Sequence, residues 1–133
     1  MSRFVIDASA ATEYLLRTPL GLKVATAVEE ASLIAPELID VEVLSVLRRA
    51  VGRRELTEQR AILAVEDLVD WSIDRIPHKP LVWLAWQHRN NVSAYDAFYV
   101  AAARMANAPL LTADGPLSRA PKLGISIENV RLL

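Results

Sequence analysis

Five short apolar runs constrain this chain most: Arg3 to Ile6, Ser32 to Ala35, Ser72 to Ile76, Pro109 to Thr112 and Ser126 to Val130. Each has the length of a β-strand and is bounded by polar or turn-forming residues. Between them, apolar residues recur every three or four positions, the signature of one helix face. These helical stretches cover 8–17, 20–31, 37–53, 57–70, 79–91 and 94–106, with a short helical turn near 115–120. Strands alternating with helices specify an α/β layered fold, a three-layer sandwich around a mostly parallel sheet. Local signals agree. Thr57 is placed to cap the helix that follows it. Gly52 lies where a helix end often needs positive φ. Ser93-Ala94-Tyr95-Asp96 has the form of a capping box.

A layered fold of this size calls for one core, and 53% of the 133 residues are hydrophobic, enough to fill it. Nothing resembles a linker, a repeat or a low-complexity tract, so residues 1–133 are expected to form a single domain. Cysteine is absent, which excludes disulfides and thiolate metal sites. The longest apolar run, Ala97 to Ala103, falls well short of the roughly 18 residues that span a bilayer. The expectation is a cytoplasmic protein with no membrane association. Fifteen basic residues against 16 acidic give a net charge of −1, so the molecule as a whole does not attract nucleic acid. Any such contact needs a local basic patch or a metal ion.

Parallel α/β sheets bind ligands beyond the carboxyl ends of their strands, and four of the acidic residues are directed there. Asp7 directly follows the first apolar run, and Asp114 follows the 109–112 run. Asp96 lies in the first turn of the helix that precedes that run. Because this helix returns antiparallel to the strand, its N-terminus reaches the same edge. Glu42 has Leu38, Ile39, Ser45 and Val46 as its one-turn neighbours, which puts it on the apolar face of helix 37–53. Glu37 and Asp40 point the other way and read as solvated.

Each acid also has a plain reading: Asp7 and Asp96 as helix caps, Asp114 as a turn residue beside Gly115-Pro116, Glu42 as the partner of Arg49. Together they are harder to dismiss, because four carboxylates meeting without a cation would repel one another. A divalent cation resolves the conflict. An all-oxygen, cysteine-free donor set suits Mg²⁺ or Mn²⁺ better than zinc. Such sites hydrolyse phosphodiesters.

Four segments carry a resemblance to a known family: "FVIDASA" at 4–10, "PELIDVEVLSVLRRA" at 36–50, "SAYDAFYVAAA" at 93–103 and "LLTADGPL" at 110–117. In order and spacing the chain resembles a PIN domain of the VapC type, the toxin of type II toxin–antitoxin pairs. The resemblance implies a five-stranded parallel sheet and a catalytic, metal-binding quartet at Asp7, Glu42, Asp96 and Asp114. It places small hydroxyls beside the metal at Ser9 and Thr112. It further implies an Mg²⁺- or Mn²⁺-dependent endoribonuclease acting on RNA, a homodimer, and inhibition by a cognate VapB-type antitoxin. The helical pair 37–53 and 57–70 would offer that antitoxin an apolar surface. Two rivals remain: a PIN-like RNA- or protein-binding module without catalysis, and a housekeeping PIN nuclease in RNA processing.

Other features point nowhere else. "RRAVGRR" at 48–54 reads as cations at a helix end or as a phosphate contact. Trp83 and Trp86 read as core or dimer interface. His78 and His88 lack metal-ligand spacing, and neither a G-x-S-x-G elbow nor a phosphate-binding glycine loop occurs.

Overall fold

The structure is a computed structural model that describes residues 2–120 and 122–132; Met1, Pro121 and Leu133 fall outside the description. Five strands form one sheet: β1 (Arg3–Ile6), β2 (Ser32–Pro36), β3 (Ile73–Ile76), β4 (Leu110–Thr112) and β5 (Ile127–Asn129). Their order is β3-β2-β1-β4-β5, and every neighbouring pair is parallel. β1 is central and covered on both faces, which is why it reads as an unbroken apolar run. Val5 and Ile6 are fully buried. The outermost strands carry Asp74, Arg75, Glu128 and Asn129, polar residues that suit a sheet edge.

The helices are α1 (Ala8–Leu15), α2 (Pro19–Glu30), α3 (Leu38–Gly52), α4 (Glu58–Asp70), α5 (Val82–Trp86), α6 (Ala94–Ala106) and α7 (Gly115–Ser118). From β1 the chain steps outward to β2 and β3, then crosses back to β4 on the other side. Right-handed crossovers therefore send α1–α4 and α5–α6 to opposite faces. α6 packs on β1, β2 and β4, while α1 packs on α2, α3 and α4. The small side chains of Ala97, Ala101, Ala102 and Ala103, all buried, let α6 lie close to the strands.

Several boundaries differ from those predicted. The first helix stops at Leu15, because Arg17 turns left-handed (φ 53°) and Thr18, extended before Pro19, caps the next helix. The helix expected over 79–91 is a 3₁₀ turn at Lys79–Leu81, then α5, then a turn. Beyond Trp86 the amides of His88, Arg89 and Asn91 bond three residues back, not four. Gly52 is not the left-handed residue that ends α3; Arg54 is (φ 60°). Its amide bonds Val51 O (3.0 Å) and the Glu55 amide bonds Ala50 O (2.9 Å), a Schellman closure. Asp40 is not free in solvent but is gripped by both nitrogens of the Arg75 fork, with Nε at 2.8 Å and Nη2 at 2.9 Å. Trp83 and Trp86 are 79% and 58% exposed, so neither belongs to the core. Thr57 and Ser93 do cap α4 and α6.

Both histidines have structural roles. His78 Nε2 accepts the Leu38 amide (2.9 Å) at the start of α3, where Glu37 offers no side-chain cap. His88 is 5% exposed and meets Arg104 at 3.2 Å. Burial, then the guanidinium, hold its pKa below the ordinary value. The unfolded chain thus takes up a proton more readily than the folded one. Stability contributed by neutral His88 is complete above about pH 6.5 and declines as pH falls below it. Replacing His88 with Gln is expected to flatten the melting temperature between pH 7.5 and 5 relative to wild type; equal slopes would remove His88 from the acid response.

Candidate active site

The reversal in strand order occurs between β1 and β4, and there the crossovers leave a gap at the carboxyl edge. Asp7 follows β1 on one side of it, and Thr112, Ala113 and Asp114 follow β4 on the other. Asp7 ends the strand with extended backbone and caps α1, its Oδ1 accepting the Ala10 amide (3.0 Å) and the Ser9 hydroxyl (2.6 Å). Thr112 Oγ1 donates to Asp7 Oδ2 and accepts the Asp114 amide at 3.0 Å. Ser9 Oγ accepts the Ala113 amide at 2.9 Å. Each hydroxyl has one proton and gives it to Asp7, so the 3.2 Å approach of Ser9 to Thr112 is a contact between two oxygens already committed. The hydroxyls thus stitch the two strand ends together through one carboxylate.

Asp114 caps α7 through Oδ1, which accepts the Leu117 amide at 3.1 Å. Asp96 enters from α6, whose cap Ser93 accepts the Asp96 amide at 3.2 Å. Glu42 enters half-buried from α3. A single cleft of about 410 Å³ is lined by all four carboxylates together with Ser9, Arg49, Tyr95 and Tyr99. Asp7 caps α1 as expected and also faces the cleft; Asp114, expected as a turn residue, caps α7 and faces it too, while the cap of α6 is Ser93 and not Asp96. No ion pair joins Glu42 to Arg49; the described residues pair Arg75 with Asp40 and Arg131 with Glu13.

The electrostatics follow from the crowding of acids in a half-closed space. Burial raises the pKa of Asp7 above the ordinary carboxylate value; its hydrogen bonds oppose this, and Asp96 adds to it. Burial raises Glu42, opposed by the nearby Tyr99 hydroxyl and reinforced by Asp96 and Asp7. Asp96 is raised by burial and then by Asp114. Glu42 Oε1 is buried and has no hydrogen-bond partner. A cluster of acids that repel one another, with one orphaned oxygen among them, is chemically suited to a hard cation. Among the described residues, no three acidic or imidazole side chains stand close enough to ligate one ion directly. A cation in this cleft would therefore be held in part through water.

Sequence reasoning missed Tyr99, which is buried on α6 and lines the cleft. The available signal was its spacing: three residues beyond Asp96, it falls on the same helix face.

A parallel five-stranded sheet with an acidic cleft at its reversal point defines an α/β fold whose chemistry is built from carboxylates. The sequence pattern of the PIN domain family matches residues 4–123. Ribonuclease VapC1 of Mycobacterium tuberculosis is 39% identical over 133 residues, covering 98% of this chain and all of that one. The crystal structure of PAE2754 from Pyrobaculum aerophilum superposes with a TM-score of 0.69 at 18% identity, covering 98% of this chain and 86% of that one. VapBC-5 of Mycobacterium tuberculosis, a member of the VapBC family of toxin–antitoxin systems, superposes with a TM-score of 0.58 at 17% identity, covering 96% and 97%. The chain belongs to the PIN-domain family, in its VapC branch.

Proposed function

We propose that this chain is the endoribonuclease toxin of a VapBC-type pair, hydrolysing RNA phosphodiesters with Mg²⁺ or Mn²⁺ held by Asp7, Glu42, Asp96 and Asp114. The observation that carries the reading is the convergence of these four carboxylates at the gap between β1 and β4, with Ser9 and Thr112 fastening Asp7. When bound, the cation supplies an activated water and neutralises charge developing on the phosphate. Asp7 is held in one orientation by three donors. Asp96 and Glu42 approach from helices on opposite faces of the sheet, so the cleft is closed from both sides. Ser9 and Thr112 orient Asp7 rather than touch substrate.

RNA phosphates must approach a cleft that is itself acidic, and Arg49 lines its wall without an acidic partner among the described residues. Arg48, Arg53 and Arg54 continue the charge, all exposed. Arg49→Glu is expected to raise KM for RNA about tenfold or more, leave kcat nearly unchanged and lower the salt slope of binding by about one. An unchanged slope would remove Arg49 from the RNA path.

A cytoplasmic toxin of this kind needs an inhibitor. Val41 and Leu44 of α3 and Ile62, Leu63 and Val69 of α4 are exposed apolar residues, a surface suited to an antitoxin segment that folds on binding. The exposed Val82, Trp83 and Trp86 suit the interface of a homodimer. In the described residues no helix is long and apolar enough to cross a membrane. Purified protein titrated with Mg²⁺ is expected to cleave RNA, and its induced expression to arrest growth until the antitoxin is co-expressed. A well-expressed wild type that causes no arrest and cleaves no RNA would overturn the proposal.

A further inference from the structure

Buried polar atoms in folded proteins almost always find a partner. Among the described residues three side-chain atoms do not: Thr12 Oγ1, Glu42 Oε1 and Tyr99 Oη. Two of the three line the same acidic cleft. Tyr99 is 1% exposed on α6, one turn from the buried Ala102 and Ala103. A phenylalanine would fill that space without burying a hydroxyl, so the hydroxyl calls for an explanation in the cleft.

We propose that Tyr99 is a positioning residue: its buried hydroxyl donates to Glu42 Oε1 and turns that carboxylate into the cleft for cation binding. This rests on the metal-dependent reading above. Of the two carboxylates near the hydroxyl, Asp7 already accepts from Ser9, Ala10 and Thr112. Glu42 has the open oxygen. Rotation about the terminal torsion of Glu42, which is broad and soft, completes the bond. A tyrosine hydroxyl keeps its proton at neutral pH and can donate it. Tyr99 thereby anchors the cleft carboxylate whose buried oxygen has no partner among the described residues. Asp7 is held by hydroxyls, and Asp114 by the α7 amide.

The test is calorimetric titration of Mn²⁺ onto metal-stripped wild type, Tyr99→Phe, Asp7→Asn and Glu42→Gln. Tyr99→Phe is expected to weaken Mn²⁺ binding about tenfold without lowering the melting temperature of the metal-free protein. In a Glu42→Gln background the same change is expected to have less than a twofold effect, because the hydroxyl acts through Glu42. Affinity within twofold of wild type in Tyr99→Phe, alongside lost binding in Asp7→Asn, overturns the role of Tyr99 alone. Unchanged affinity in all three variants overturns the metal site itself. A tenfold loss that persists in the Glu42→Gln background overturns the proposed partner.

Discussion

Asp7→Asn is expected to lower the rate of RNA cleavage at saturating Mg²⁺ by about a thousandfold or more, while raising the melting temperature of the metal-free protein. The two effects share a cause. Asp7 is 4% exposed at the meeting point of β1 and β4, and on the proposed reading it supplies charge to the cation. Asparagine keeps the shape and removes the charge. Several kcal/mol of transition-state stabilisation are then lost, each 1.36 kcal/mol being about tenfold in rate.

Without the cation, that charge works against folding. Burial raises the folded pKa of Asp7 above its unfolded value, so the folded state holds its proton more tightly. Stability from this group is complete below about pH 3.8 and is lost as pH rises through the folded pKa. The penalty therefore grows as pH rises above about 3.8, and Asp7→Asn relieves it. The expected gain is about 4 °C for each kcal/mol recovered, read by calorimetry in excess chelator. The gain should shrink as pH is lowered. Wild-type cleavage rates in the variant would end Asp7's assignment to the site. A lower melting temperature would mean that its cap and hydroxyl bonds outweigh the cost of burying its charge.

Gly21→Ala is expected to cost about 3 kcal/mol, the upper range for overpacking where the obstacle is backbone. Gly21 is in the first turn of α2, its amide bonded to the Thr18 hydroxyl at 3.0 Å. A Cβ there would lie 1.9 Å from Glu13 O and 2.5 Å from Glu13 C, both backbone atoms of α1. The helices meet across a three-residue connection and cannot separate without displacing α1, whose first turn carries Ser9. The change should appear as a lower urea midpoint at unchanged m, with lower cleavage as α1 shifts. A loss under about 1 kcal/mol would show that α2 can slide away cheaply.

Much of the architecture was legible because it follows from periodicity. β1, β4 and α6 have nearly the predicted bounds, since a central parallel strand must be apolar on both faces and a helix packed on it must be apolar on one. The acids at strand ends were legible for the same reason, since topology brings strand ends to one edge whatever the side chains are. Where the reading failed, a distant partner had decided the local structure. Asp40 looked solvated because Arg75, which grips it, is 35 residues away in sequence. α3 lacked a cap in sequence because its acceptor is His78, 40 residues away. Arg54 rather than Gly52 turns left-handed because the Schellman pairing of Ala50 with Glu55 fixes where the helix stops. Tyr99 had no mark in the sequence, because only the tertiary fold, which brings Glu42 of α3 and Tyr99 of α6 to one cleft, puts its hydroxyl near that carboxylate.

By itself the sequence determined the strand–helix alternation, the parallel sheet and the edge at which Asp7, Asp96 and Asp114 arrive, because these depend on patterns within single segments. Only the tertiary structure decided what those acids do on arrival. It set which oxygens Ser9 and Thr112 occupy, left Glu42 Oε1 and the Tyr99 hydroxyl unpaired, and put Arg49 on the cleft wall. Hydrogen-bond partners and burial are relations between segments far apart in the chain, and they exist only after the segments have packed.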